Sequence, residues 1–113
     1  MMHSMTLWDE PFCLIESGIK TIELRLFDEK RQNIKVGDII EFTNLKSQKT
    51  LRVLVRKLYR FKDFKELYNS LDLLKCGYTK SDIDSARASD MDKYYSKQQQ
   101  EQYGVLGIEI EKM

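Results

Sequence analysis

Gly18-Ile19-Lys20-Thr21-Ile22-Glu23-Leu24-Arg25-Leu26-Phe27 alternates strictly from Thr21 onward, with Ile22, Leu24 and Leu26 on one side and Thr21, Glu23 and Arg25 on the other. A period of two is that of a strand with one apolar face. Gly18, just before it, can take the left-handed conformation in which a helix often ends. A short helix is therefore predicted to lead into this strand. It carries Phe12, Leu14 and Ile15, and Asp9-Glu10-Pro11 supplies its N-cap, its first-turn acids and an early proline.

The same periodicities extend in both directions. Met5 to Trp8 reads as a short first strand, residues 28 to 36 as a polar loop, and Gly37-Asp38 as a turn that opens a strand over Ile39 to Thr43. Leu51, Val53 and Val55 alternate with Arg52, Leu54 and Arg56 in a longer strand with a basic outer face. Phe64, Leu67, Tyr68 and Leu71 fall at i, i+3, i+4 and i+7, the stripe by which an amphipathic helix joins a core. A polar helix is expected through residues 80 to 89. Ser96-Lys97-Gln98-Gln99 fits a capping box for a short helix ending at Gly104. Val105 to Glu111 closes the chain as a last strand, with Leu106, Ile108 and Ile110 inward. Strands arriving in succession with short helices between them predict an α+β domain, a small barrel of about five to six strands.

Composition narrows the class. A chain of 113 residues, 42% hydrophobic and 33% charged, with one Pro and five Gly, is globular and neither disordered nor collagen-like. It fits a single domain over 1–113. No apolar run approaches the roughly 20 residues that span a bilayer. The opening Met1-Met2-His3-Ser4-Met5 has neither the basic region nor the apolar stretch of a signal peptide, so a cytoplasmic location is expected. Cys13 and Cys76 form no CxxC pair, which points away from a zinc site or a disulfide framework and leaves two small hydrophobes or a reactive thiol. His3 is the only histidine, which removes Ser-His-Asp, Cys-His and multi-histidine metal chemistry together. No metal and no cofactor is expected.

The charges are unevenly placed although the net charge is only +1. Residues 46 to 65 hold eight Lys or Arg, including Arg52 and Arg56, against the single acid Asp63. Residues 82 to 92 reverse the balance, with Asp82, Asp84, Asp90 and Asp92 against Arg87. A polyanion is one natural partner for the basic segment; a solvated strand face that resists edge pairing is the other reading.

Chemistry concentrates in the opening stretch. Lys20 sits at the mouth of the turn, and a hydroxyl, a carboxylate and a guanidinium follow along one strand face at roughly 7 Å intervals. Lysine beside carboxylate can share a proton, arginine can grip phosphate, and threonine can donate a hydrogen bond. An exposed strand face with a weak Glu23 and Arg25 pair is the alternative.

The pattern G-x-K-x-x-E-x-R over Gly18 to Arg25, followed by Val36-Gly37-Asp38-Ile39-Ile40-Glu41-Phe42, resembles the ASCH family. Tyr94-Tyr95-Ser96 and Tyr103-Gly104-Val105 before the last strand extend the resemblance over almost the whole chain. It implies a PUA-like β-barrel with a cleft floored by the G-x-K-x-x-E-x-R strand and an RNA, nucleoside or nucleotide ligand. In that reading Lys20, Arg25, Arg52 and Arg56 hold phosphate, and Trp8, Tyr94 or Tyr95 stacks on a base.

The resemblance also implies a hydrolytic alternative. Some relatives are similar to N4-acetylcytidine amidohydrolases that use a Lys, a Thr and a Glu; Lys20 matches, but Glu23 stands where the threonine belongs. Thr21 is the remaining hydroxyl, and Asp72 is the only acid in the loosely aligned segment 72 to 77. Others are similar to ribonucleases that use a Lys, a Tyr and a late Ser. There Lys20 and Ser96 match, and Phe12 and Leu14 stand where a tyrosine is wanted. Lys20, Thr21, Glu23 and Ser96 are thus the candidate catalytic residues.

Overall fold

In the computed structural model, which describes residues 1–113, the sheet is organised around its longest strand. β4 (Thr50–Phe61) runs for 12 residues between β3 (Ile39–Asn44) and β5 (Val105–Lys112), and it pairs antiparallel with both. β1 (Met2–Leu7) lies parallel to β3, β2 (Ile22–Leu26) lies antiparallel to β5, and the order is β1-β3-β4-β5-β2. The expected α+β class is found, as five mixed strands curled into a half-barrel with short helices. Between Val55 and Lys57 the β4–β5 register shifts, a bulge at which β4 bends. No helix is long and apolar enough to cross a membrane.

Two apolar clusters lie on the two faces of the sheet. Met5, Leu7, Phe42, Val53, Val55, Leu106 and Ile108 pack with Phe12 and Ile15 of α1 (Asp9–Glu16) in one of them. Ile22, Leu24, Leu26 and Val105 pack in the other with Phe64 and Leu67 of α2 (Phe64–Ser70), Cys76 and Met91. β2 is therefore buried on both sides. Its apolar side meets α2, while Glu23 and Arg25 stand opposite Ile108 and Leu106 on the inner side.

Local signals hold in several places. Gly18 has φ +84° beyond the end of α1. Ser96 and Gln99 form a reciprocal capping box on α3 (Lys97–Tyr103), and Asp63 caps α2 through the Glu66 N–H.

Elsewhere the structure corrects the expectation. β1 begins at Met2 rather than Met5, because its N-terminal half pairs in parallel with Ile39 to Glu41. β4 continues past Arg56 to Phe61, where Leu58 to Phe61 pair with Val105 to Ile108 of β5. Trp8, with no side-chain hydrogen bond, is the N-cap of α1, since the Asp9 carboxylate instead accepts from Asn44 Nδ2 at 3.0 Å. The polar helix over 80 to 89 is absent; short 3-10 turns at Ile83–Ser85 and Ala88–Lys93 replace it. Asp82 accepts from the Thr79 N–H and Asp90 from the Arg87 N–H, so side chains take the backbone donors that a helix would use.

Candidate functional site

The turn into β2 fixes Lys20 by its backbone. Ile19 and Lys20 both donate to the Leu14 carbonyl, and Thr21 and Ile22 both donate to that of Lys75, so the segment is clamped between α1 and the 71–77 loop. The Lys20 side chain then runs over Gly77, where a Cβ would come within 3.3 Å of Lys20 Cδ and where φ is +110°. The positive φ is what calls for glycine there, and the absent side chain also leaves the Lys20 chain room to pass.

Glu23 takes both cations of the motif. Its Oε1 lies 2.8 Å from Lys20 Nζ, and its Oε2 accepts from Arg25 Nε at 2.9 Å. Lys20 is 9% exposed and Glu23 is 4% exposed, so this is a buried cluster. Burial pushes the Glu23 carboxyl up, but the charges of Lys20 and Arg25 and their hydrogen bonds outweigh it and hold the group at about 2. Desolvation likewise pulls Arg25 down, and Glu23 more than reverses it.

Lys20, Glu23 and Arg25 line a cleft of about 690 Å³. Trp8, Pro11 and Leu14 from α1 and its approach form part of the wall, and Tyr68, Cys76, Gly77 and Tyr78 form another. Met91, Tyr94 and Tyr95 complete it. Trp8 and Tyr94, 63% and 51% exposed, stand at the rim with large aromatic surface free. Tyr95 already stacks on Phe64, with ring centroids 6.1 Å apart and planes 14° from parallel, so only part of its ring is open to a ligand. Burial pushes the Cys76 thiol up to about 12, which makes it an inert wall residue and not a nucleophile.

Of the residues expected at a site, Lys20, Glu23, Arg25, Trp8, Tyr94 and Tyr95 come together here. Thr21 does not line the cleft; it precedes β2, and its backbone bonds to Lys75 and Ile110 hold it in the turn. Ser96 also lies outside the lining, with its hydroxyl engaged in the α3 cap. Arg52 and Arg56 are on the outer side of β4, paired with Glu41 at 3.0 Å and Glu111 at 3.4 Å.

Tyr68, Tyr78 and Asp90 line the cleft as well, and sequence reasoning missed them. Tyr68 packs on the core as the α2 stripe predicts, and the need of its hydroxyl for a partner is the signal that points to the cleft.

The sequence profile of the ASCH domain matches residues 5–113. The crystal structure of the hypothetical protein PH0355 is similar over the full length of both chains, at 35% identity and a TM-score of 0.84. The solution structure of PF0455 from Pyrococcus furiosus is similar at 32% identity and a TM-score of 0.76, covering all of this chain and 98% of that one. ZmASCH from Zymomonas mobilis shares the fold at 14% identity and a TM-score of 0.67, over 97% of this chain and 67% of its own. No curated protein matches the chain.

Proposed function

The chain belongs to the ASCH domain family, and on that premise we propose that its cleft binds RNA or a single nucleotide, with a phosphate on Lys20 and Arg25 and a base against Trp8, Tyr94 and Tyr95. The observation that carries this reading is the charge on the cleft floor. One carboxylate, Glu23, lies between two cations, which leaves a surplus positive charge among largely buried groups. Unbalanced buried charge is unfavourable, and an anion relieves it. The Lys20 ammonium and the Arg25 guanidinium both keep N–H donors beyond those given to Glu23 and Thr6.

The walls supply the rest. Exposed aromatic faces stack on any base, and a volume of about 690 Å³ suits one nucleotide better than a duplex. Asp82 and Asp90 stand on the other wall with Lys93 beside Asp90, so the cations in excess of carboxylate are those of the floor. The basic outer face of β4, with Arg52 and Arg56, offers a longer RNA a second, sequence-independent contact.

Hydrolysis is the second reading, favoured by the 2.8 Å contact through which Lys20 and Glu23 could share a proton. It would have to proceed without Thr21 or Ser96. The binding reading predicts no turnover of N4-acetylcytidine or of single-stranded RNA.

Trp8 is the only tryptophan and stands at the rim, so its fluorescence reports on occupancy directly. Titration with a short single-stranded RNA or with mononucleotides should quench it saturably. Absence of binding by both ligand types overturns the reading.

A further inference from the structure

A hydrogen-bonded row of side chains lines the cleft apart from the Lys20, Glu23 and Arg25 cluster. Tyr68 comes from α2, Tyr78 from the loop after it, and Asp90 from the 3-10 turn at Ala88–Lys93. The Tyr78 hydroxyl lies 2.7 Å from that of Tyr68 and 2.7 Å from Asp90 Oδ2.

Proton counting fixes the direction of this row. The Tyr78 hydrogen bond, followed by that of the Arg87 N–H, lowers the Asp90 carboxyl, so Asp90 is ionised and can only accept. Tyr78 must therefore give its one proton to Asp90. Its oxygen then accepts from Tyr68, which uses the one proton of Tyr68 in turn. Burial pushes the Tyr68 phenol up to about 12, so it stays a neutral hydroxyl. What Tyr68 retains is a lone pair. Its ring is held edge-on against Phe64 and Tyr78, with centroids at 6.5 Å and 5.8 Å, and this packing keeps the hydroxyl in place.

We infer that Tyr68, oriented by Tyr78 and Asp90, is a hydrogen-bond acceptor placed for an exocyclic amino group, so that the cleft prefers cytosine or adenine over their carbonyl counterparts uracil and hypoxanthine. The inference rests on the nucleotide reading and adds a specificity to it. A carbonyl oxygen at that place would meet the Tyr68 lone pair with no proton between them. Leaving such polar groups unpaired inside a site is what discriminates most strongly between near-identical ligands.

Calorimetric titration with CMP against UMP, and with AMP against IMP, tests this on the intact protein. Wild type should bind the amino member of each pair about tenfold tighter or more. Tyr68→Phe keeps the ring and removes the acceptor, and should bring both ratios to about one. Tyr78→Phe frees the Tyr68 proton to donate to the ligand, so the ratios should narrow or reverse; if that variant fails to fold, Tyr68→Phe decides alone. A purely structural role for the row would weaken all four ligands alike and leave the ratios unchanged. That result, or a wild-type ratio near one, overturns the inference and leaves the nucleotide reading standing. No binding of any of the four by wild type overturns both.

Discussion

Arg25 Nη2 donates to the Thr6 carbonyl oxygen at 2.7 Å, so a side chain of β2 reaches the strand at the other end of the sheet order. β1 and β2 are the two edges of the half-barrel and exchange no strand pairing. Lys30 Nζ makes the equivalent bond to the Ser4 carbonyl at 2.6 Å. Two alternate carbonyls of β1 are thus taken by cations, which draws the edges together and discourages pairing with another chain.

Arg25→Ala should therefore destabilise the protein by about 1.5–3 kcal/mol, the worth of its charge-assisted hydrogen bonds, since Lys20 still balances Glu23. Arg25→Lys should restore only part of this, because an ammonium lacks the fork that reaches Glu23 and Thr6 at once. Urea unfolding measures both. A loss below about 0.5 kcal/mol for Arg25→Ala would mean that the bridge holds nothing together.

Glu23 should give the fold a distinctive acid limb. Its folded carboxyl titrates at about 2, below the usual glutamate value of about 4.3. Between those values the unfolded chain binds more protons than the folded one, so this stabilisation is complete above about pH 5 and is lost as pH falls toward 2. Asp38, held at about 2 first by His3 and then by the Lys35 N–H, acts over the same window. Glu23→Gln should thus flatten, without abolishing, the fall in stability between pH 5 and 2. An unchanged slope would show that Lys20 and Arg25 do not hold the carboxylate as the geometry requires.

Arg52 and Arg56 lie outside the cleft, which makes their contribution separable. Changing both to Ala should leave mononucleotide affinity unchanged. For a longer single-stranded RNA it should weaken binding and reduce the salt slope by about 0.7 per lost phosphate contact. An unchanged slope would return these residues to a solvated strand face whose cations serve Glu41 and Glu111.

Much of this was legible in the residues themselves. The alternation of Ile22, Leu24 and Leu26 with Glu23 and Arg25 assigned the faces of β2 correctly, because the apolar side packs against the α2 cluster while the other holds the charged side chains, and that division leaves a period of two even though both sides are buried. The capping box at Ser96 was readable for a similar reason: its partners are three residues apart. What escaped depended on distant partners. The extension of β4 to Phe61 is stabilised by β5, about 45 residues later. Segment 80 to 89 has helix-compatible spacing, but its Asp side chains bond to nearby backbone, a competition that pattern alone does not resolve. The row from Tyr68 to Asp90 joins residues up to 22 apart through a loop and has no sequence period at all.

Lys20 is where the account is most exposed. Its ammonium lies against Glu23 on one side and the cleft on the other, so its role in binding is that of a fixed positive charge with donors to spare. The affinity of wild type, Lys20→Arg and Lys20→Ala for one mononucleotide, measured in the same buffer, tests this most directly. Lys20→Arg should keep much of the binding, because the charge and the donors remain. Lys20→Ala should lose about ten- to hundredfold, the usual worth of a hydrogen bond to a charged group. An alanine variant that binds as tightly as wild type would contradict the account.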